Sequence, residues 1–371
     1  MKIALIGPTY PYAGGISHFN TILAKELSKK NEIKVFSYYK RYPQLVYPAK
    51  EQEDKKSEMK IEVEAERTLS IINPFSWIKT ALKIRKFNPE KIVFHFVTPF
   101  TSIMFSVISF ISKFKRKTKT VLICHNLNPH EKRFLDKILS KIMFRNTNEF
   151  ITHSNEDFFE LKKKFKDKKV IKGFSPALNF FNFKTFSKNE SKKILGLNKN
   201  TILFFGYVRE YKGLNYILEA MPLVLKEIDA ELVIAGQFCK NKEEYLKKIN
   251  ELEIKKNVKI FDEYIQNEKI GLFFSASDVV VMPYKSLSNS AILQIALSFN
   301  KPVIGTRVGA LKEVIKNNMN GFLTENSKES IAKAIIKFYE EKKEKEFSEN
   351  MEKIKENFSW GRYSELLNKG N

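Results

Sequence analysis

Cysteine is nearly missing from this chain of 371 residues, with only Cys124 and Cys239 present. A disulfide framework and a cysteine-ligated zinc site are thereby excluded. Long apolar runs are lacking too. The longest, Pro99–Ser112, covers about 14 residues and is broken by serines, whereas a membrane-spanning helix needs about 20. No secretory leader pattern opens the chain, since Met1-Lys2-Ile3 enters a strand-like run directly. The expectation is a cytoplasmic chain with no spanning helix. Acidic side chains are scarce relative to basic ones, 42 against 65, for a formal charge of +23. The imbalance is concentrated early: residues 1–172 hold 34 basic and 17 acidic side chains, and the remainder 31 and 25. A basic first half points to an anionic partner, whether membrane surface, nucleic acid or phosphorylated substrate. No nucleic-acid recognition module is present. Also missing are a serine–histidine nucleophile motif, a P-loop and a D-x-D pair to hold a metal against a nucleotide.

What is present is a repeated alternation of strand and helix. Lys2–Gly7, Ile33–Phe36, Lys91–Phe96, Thr120–His125 and Glu149–Ser154 read as strands of the first half. Ile16–Lys30 and the basic, amphipathic Pro74–Phe87 read as helices, the latter closed by Asn88-Pro89. Lys50–Glu66 is dense in charge and reads as an exposed excursion. Gly173–Asn200 has little periodicity and reads as an inter-domain connection. The pattern then restarts with strands Thr201–Phe205, Glu231–Ala235, Val258–Phe261, Asp278–Met282 and Pro302–Gly305. Glu340–Lys355 reads as one charged helix with a solvated face. Continuous Val/Ile/Leu/Phe strands alternating with helices predict parallel sheets covered on both faces. The expected fold class is α/β, two doubly wound domains in tandem. The domains run over 1–172 and 201–356, joined by a linker at 173–200, and a ligand is expected in a cleft at the strands' carboxyl ends.

Four stretches at strand ends carry the chemistry. Phe204–Ala220, FFGYVREYKGLNYILEA, ends its strand at Gly206 and sets Arg209 and Lys212 before Gly213. Two cations of different reach suit a diphosphate, and a glycine there lets backbone come close. The same pair also reads as solvated surface charge. Gly14-Gly15 precedes a helix and offers amides to an anion, or is a plain turn. Ser288, Asn289 and Ser290 are N-cap types before an apolar helix, giving a second phosphate site or only a capping loop. His125-Asn126-Leu127-Asn128-Pro129-His130-Glu131 gathers two histidines and a carboxylate, with His153 at the next strand's end. Its spacing fits no standard zinc pattern.

Together these stretches resemble the retaining glycosyltransferases of family 4 (group 1), which have the GT-B fold of two facing doubly wound domains. The resemblance runs nearly end to end. It is carried by Pro11–Ile16, by H-N-x-x-P-H-E at His125–Glu131, which marks a subgroup, and by Thr152–Ser154. In the second half it is carried by G-x-[IV]-R-x-Y-K-G-L at Gly206–Leu214, Asp278–Pro283 and Lys301–Gly309. Phe358-Ser359-Trp360 is similar to the start of a last helix, 357–371, that crosses back to the first domain.

The resemblance implies that Arg209 and Lys212 hold the donor diphosphate and neutralise the leaving nucleotide. Gly14, Gly15, Gly206 and the Ser288–Ser290 amides close around the same phosphates, and Tyr264 and Ile265 pack the base. His125 lies near the transferred sugar, with His130, Glu131 and His153 on the acceptor side. It also implies a UDP- or GDP-sugar donor, a glycan or lipid-linked acceptor, and no metal or other cofactor. One departure stands out. The family's E-x7-E carboxylates fall on Leu287 and Ile295, leaving the adjacent Gln294 to serve the ribose. Pro74–Phe87 and the apolar Phe100–Phe114, which ends in Lys113–Lys117, read as helices for peripheral contact with an anionic membrane, or simply as covers for the sheet. Three readings compete with glycosyl transfer: a nucleotide-sugar epimerase of the same fold, a phosphorylase lacking its lysine motif, and a non-catalytic nucleotide-binding subunit.

Overall fold

A computed structural model describes residues 1–40, 52–54, 57–125, 127, 136–182, 184, 186–287 and 289–368. The chain divides into two compact units. The first comprises Met1–Lys55, Lys60–Phe174 and Trp360–Asn371, the second Lys56–Met59 and Ser175–Ser359.

In the first unit β1 (Lys2–Ile6) leads to α1 (Gly15–Ser28), β2 (Glu32–Lys40), β3 (Glu66–Ser70), α2 (Pro74–Phe87) and β4 (Lys91–Phe96). Then follow α3 (Ser102–Lys113), β5 (Lys119–Cys124), α4 (Asp136–Asn146), β6 (Glu149–Thr152), α5 (Asn155–Lys164) and β7 (Lys169–Lys172). The sheet order is β3-β2-β1-β4-β5-β6-β7, and all its pairings are parallel. Local sequence explains individual elements. α2 starts because the Asn73 side chain accepts from the Phe75 amide and Pro74 fills the first turn, and it stops because Asn88 takes the left-handed conformation ahead of Pro89. One face of the sheet buries Phe94, Phe96, Leu122 and Phe150 against α2, α3 and α4. The other buries Ile3, Leu5, Val93 and Ile123 against α1 and the last helix.

In the second unit α6 (Lys188–Leu195) precedes β8 (Asn200–Phe205), α7 (Leu214–Val224), β9 (Ala230–Ala235), α8 (Lys242–Glu251), β10 (Val258–Phe261) and α9 (Asn267–Ala276). Then come β11 (Val279–Met282), α10 (Ala291–Ser298), β12 (Val303–Thr306), α11 (Leu311–Val314), β13 (Gly321–Thr324), α12 (Lys328–Glu340) and α13 (Glu344–Lys355). Its parallel sheet runs β10-β9-β8-β11-β12-β13. The final helix, α14 (Trp360–Asn368), is part of the first unit. Tyr363 of α14 is fully buried, and the Lys91 ammonium donates to the Leu367 carbonyl at its end (2.7 Å) while pairing with Glu149 (3.4 Å). A cation at a helix C-terminus is favourably placed in the field of the backbone dipoles.

Three expectations need correction. The charged excursion ending at Glu66 is not simply exposed: Asp54, Ser57 and Ile61 are buried, and Ser57 and Met59 hydrogen-bond with Asn267. The stretch read as an inter-domain connection of little periodicity contains α6, which the Ser187 hydroxyl caps through the Glu190 amide. The charged segment from Glu340 onward is broken after Glu340, and α13 turns Phe347 and Met351 fully into the core. Two apolar residues four apart lie on one helical face, and the surrounding charges hid that pair. Strands β3, β7 and β13 were not expected, because each is an edge strand with short or mixed patterning.

Candidate active site

In each sheet the strand order reverses once, between β1 and β4 and between β8 and β11. Loops leaving such a switch point diverge and open a crevice at the strands' carboxyl ends. The motifs at Gly14-Gly15, Arg209–Gly213 and Ser290 follow β1, β8 and β11 at these points, while His125, His153 and Tyr264 follow the neighbouring β5, β6 and β10.

In the second unit, β8 runs into Gly206, whose φ of +89° suits glycine. Arg209 is half-buried and extended, Glu210–Lys212 forms one 3₁₀ turn, and Gly213 closes it at φ +70°. Lys212 is 7% exposed. Its ammonium reaches the Phe205 carbonyl at 3.5 Å, lies within 2.9 Å of where a Gly206 Cβ would stand, and is 5.9 Å from the Tyr284 ring. Burial, and after it the Arg209 charge, pulls its pKa down to about 7. The nearest acid in sequence, Glu210, pairs instead with Lys285 at 2.9 Å. Among the described residues neither Arg209 nor Lys212 has an ion-pair partner. Two adjacent basic side chains with no carboxylate partner among the described residues, one of them buried, are chemically suited to an anion.

The loop after β11 supplies the other wall. Tyr284 is buried and hydrogen-bonded to Ser290, and burial pushes its phenol well up. The Lys285 amide donates to the Tyr211 carbonyl at 2.7 Å, which ties the two loops together. Ser290 caps α10 by accepting from the Leu293 amide, and the Asn289 side chain accepts from the Ser290 amide at 2.8 Å. The amides of Ala291 and Ile292 have no partner among the described residues, and the Ile292 side chain lies 3.0 Å from the same Gly206 Cβ position as the Lys212 ammonium. The first turn of α10 and the Lys212 ammonium thus converge on Gly206.

Gln294 is 1% exposed, and its side-chain oxygen accepts no hydrogen bond. Leu287 and Ile295 are buried apolar residues. Ile265 is buried, and the half-buried Tyr264 ring lies 6.4 Å from Tyr207. Tyr207 was not singled out from the sequence; its place directly after Gly206 at a strand end was the available signal. The missing side chain of Gly213 makes room for Pro283, whose carbonyl oxygen a Cβ there would meet at 1.9 Å.

In the first unit Gly14 caps α1 with a φ of +108°, and a Cβ there would meet nothing within 4 Å. Its carbonyl accepts from the Ser17 and His18 amides, while those of Gly15 and Ile16 have no partner among the described residues. Beside this turn, three adjacent strands end in buried histidines. His95 Nδ1 is 2.9 Å from His125 Nε2, with the rings stacked 5.2 Å apart. His153 stands 5.1 Å from His125 and bonds through Nε2 to the Tyr363 hydroxyl at 2.9 Å. The Phe19 ring meets the edge of His125 at 4.7 Å. Burial lowers all three, His95 and His153 to about 3 and His125 well below its ordinary value. They are therefore neutral at pH 7. Neutral imidazoles suit hydroxyl groups, whereas the cations of the second unit suit phosphate. His95 and Tyr363 were not read from sequence, since one lies inside an apolar strand and the other on a distant helix. His130, Glu131 and Ser288 lie outside the described residues. Among the described residues no group of three or more His, Cys, Asp or Glu is arranged to hold a metal ion.

Comparison with known proteins adds to this geometry. Residues 186–357 match the family model described as glycosyl transferases group 1. The second unit is similar to group 1 glycosyl transferases. An uncharacterized glycosyltransferase of Methanocaldococcus jannaschii is 27% identical over 201 residues, covering 53% of this chain and 51% of that protein. The chain spans about half the length of the curated relatives it matches. Among solved structures, HepE of Anabaena in complex with UDP superposes with a TM-score of 0.74 at 16% identity, covering 100% of this chain and 99% of that one. Sucrose-phosphate synthase of Thermosynechococcus elongatus gives 0.73 at 14%, covering 99% and 97%. These likenesses show the fold, two doubly wound parallel-sheet units of the GT-B type.

Proposed function

We propose that the protein is a retaining glycosyltransferase of family 4. It moves a sugar from a nucleoside diphosphate sugar to a glycan or lipid-linked acceptor, in cell-surface polysaccharide or glycolipid synthesis. The observation that carries the reading is the buried Lys212 beside Arg209 and the open first turn of α10, three anion-binding features at one strand end. As the sugar departs, negative charge grows on the diphosphate. A guanidinium, an ammonium and backbone amides already aimed at that charge stabilise the transition state without a metal. Tyr207, Tyr264 and Ile265 supply an aromatic and apolar wall for the base. HepE is solved with UDP, which favours a uridine nucleotide over guanosine as the first to test. His125, neutral and held by His95, serves the hydroxyl groups of the transferred sugar, and His153 belongs to the acceptor side with His130 and Glu131. Among the described residues no helix is long and apolar enough to cross a membrane. A cytoplasmic enzyme in peripheral contact with the inner membrane face completes the reading.

Leu287 and Ile295, at the family's carboxylate positions, favour a second reading: a non-catalytic subunit that binds nucleotide. One experiment separates the two. At a donor concentration of 100 times Kd, a bound donor stabilises the folded state by about 2.7 kcal/mol, a rise in Tm of roughly 5–10 °C. A panel of UDP- and GDP-sugars is screened this way, and the stabilising sugar is then incubated with glycan and polyprenyl-linked acceptors. Stabilisation with nucleotide release only when acceptor is present is expected. Stabilisation without turnover supports the binding subunit, conversion of the donor alone supports an epimerase, and no stabilisation by any member overturns the donor site.

A further inference from the structure

Each of α2, α3 and α4 has apolar residues on two opposite faces. The inward stripe is accounted for: Ala81 and Ile84, Phe105 and Ile108, and Met143 and Phe144 are buried against the sheet. The outward stripe is exposed among the described residues. On α2, Phe75 is 81% exposed and is followed at helical spacing by exposed Ile78 and Leu82. On α3, Ile103 and Phe110 are exposed, the latter 68%, and Phe114 continues the same line. On α4, Ile138 and Ile142 are exposed one turn apart. α2 packs on α3 and α3 on α4, so the three stripes share one side of the unit. A helix apolar on both faces is normally buried on both. Among the described residues the second unit leaves only Ile194 and Met319 comparably exposed, so this concentration is not a general property of the chain.

The charges around the stripes are predominantly basic, with Asp136 at the start of α4 and the Glu66 partner of Lys83 as the acids beside them. α2 carries Lys79, Lys83, Arg85 and Lys86 and no acid, and α3 carries Lys113 and no acid. Lys115, Arg116 and Lys117 follow, and α4 adds Lys141 and Arg145. In contrast, α8 and α13 of the second unit mix both signs. Arg85 donates to the Ile111 and Phe114 carbonyls, which holds the ends of α2 and α3 in a fixed relation.

We infer that this three-helix face docks on the surface of an anionic bilayer. The aromatic and aliphatic side chains enter the boundary of headgroups and acyl chains, and the lysines and arginines meet lipid phosphates. α2, α3 and α4 each follow the carboxyl end of a strand, so their first turns, with Phe75, Ile103 and Ile138, lie toward the end of the sheet that carries His95, His125 and His153. A lipid-linked acceptor held by the bilayer would therefore be presented along that edge. This last point rests on the function proposed above; the docking itself does not.

The test uses the full chain and needs neither donor nor acceptor. Vesicles of phosphatidylglycerol and phosphatidylcholine are sedimented with the protein at low salt, alongside vesicles of phosphatidylcholine alone. Sedimentation with the anionic vesicles only is expected. Phe75→Ser with Phe110→Ser, and separately Lys79→Glu with Lys86→Glu, should each lower the bound fraction's partition coefficient about tenfold or more, with Tm unchanged because these side chains are exposed. Absence of binding, or binding that both double variants retain, overturns the inference. So does light scattering that shows a dimer dispersed by the serine variant, since a second copy would then own the face. Donor-induced stabilisation is a separate readout, so failure here leaves the donor site standing, and the reverse holds.

Discussion

Replacement of Lys212 by alanine is expected to lower kcat by about 10²–10³, and replacement of Arg209 to do the same, with the fold retained in both. The magnitude follows from where the charges lie. Lys212 is buried beside Gly206 and the first turn of α10, where the dielectric is low and the ammonium has only the Phe205 carbonyl to satisfy it. Its attraction for a leaving diphosphate is stronger there than at an exposed surface. Removing an under-satisfied buried cation relieves strain in the empty protein, so Tm should not fall. Lys212→Arg should fail to restore activity, because the guanidinium needs room that Ile292 and Tyr284 occupy. The two losses should combine to less than their product if both groups serve the same oxygens. Wild-type rates in both single variants would place the donor elsewhere.

The same lysine gives a pH dependence whose sign is fixed by its folded pKa of about 7, below the ordinary 10.5. Between those values the unfolded chain holds a proton that the folded, empty protein does not. Stability therefore rises with pH across that window, and below pH 7 the full cost of burying the charge is present. Donor binding runs the other way. The diphosphate requires the ammonium, so above pH 7 each binding event takes up a proton, and donor Kd rises by up to about tenfold per pH unit. Calorimetric titration with UDP from pH 6 to 9 measures this, and Lys212→Ala should flatten the profile. A flat profile in the wild-type chain would mean that Lys212 does not contact the nucleotide.

The positions of the residues to which this chemistry is assigned were legible for a physical reason. Gly206, Arg209, Lys212 and Ser290 occupy a short apolar strand's end and a helix start, where local rules dominate and spacing alone places each group. The doubly wound sheets were legible too, because interior parallel strands are apolar along their whole length. What failed lay at the edges and in tertiary contact. β7 and β13 pair on one side only and need little patterning. α13 reads as solvated because the buried Phe347 and Met351 are outnumbered by the charged and polar residues of the same twelve-residue helix. The histidine cluster needs three strands in register and a helix from the chain's other end, so His95 and Tyr363 reach His125 and His153 only through topology. The outward apolar stripes of α2 and α3 were visible as residues, but only packing against the sheet could show that a second apolar face is left over.

Gly213→Ala is expected to be the most damaging single change near the donor site that removes no functional group. Gly213 takes φ +70°, which costs a residue with a side chain about 1–2 kcal/mol. Its missing Cβ faces the Pro283 carbonyl oxygen at 1.9 Å, backbone that cannot rotate away. The turn is also held from both sides: the Gly213 amide donates to Glu210, its carbonyl accepts from Tyr216, and the Lys285 amide reaches across to Tyr211. To admit a methyl group the two loops must part, at an overpacking cost of about 1–3 kcal/mol more. At about 2–4 °C per kcal/mol the total lowers Tm by roughly 5–15 °C. The same movement draws Lys212 away from the first turn of α10, so kcat should fall even where the variant remains folded. Gly14→Ala is the control. Its φ of +108° is also strained, but a Cβ there meets nothing within 4 Å, so its Tm should fall by the conformational cost alone. Differential scanning calorimetry on the two variants compares them directly. Equal losses would mean that backbone conformation, and not the contact with Pro283, decides the Gly213 result, and a Gly213→Ala protein as stable as wild type would show that the two loops are not held against each other.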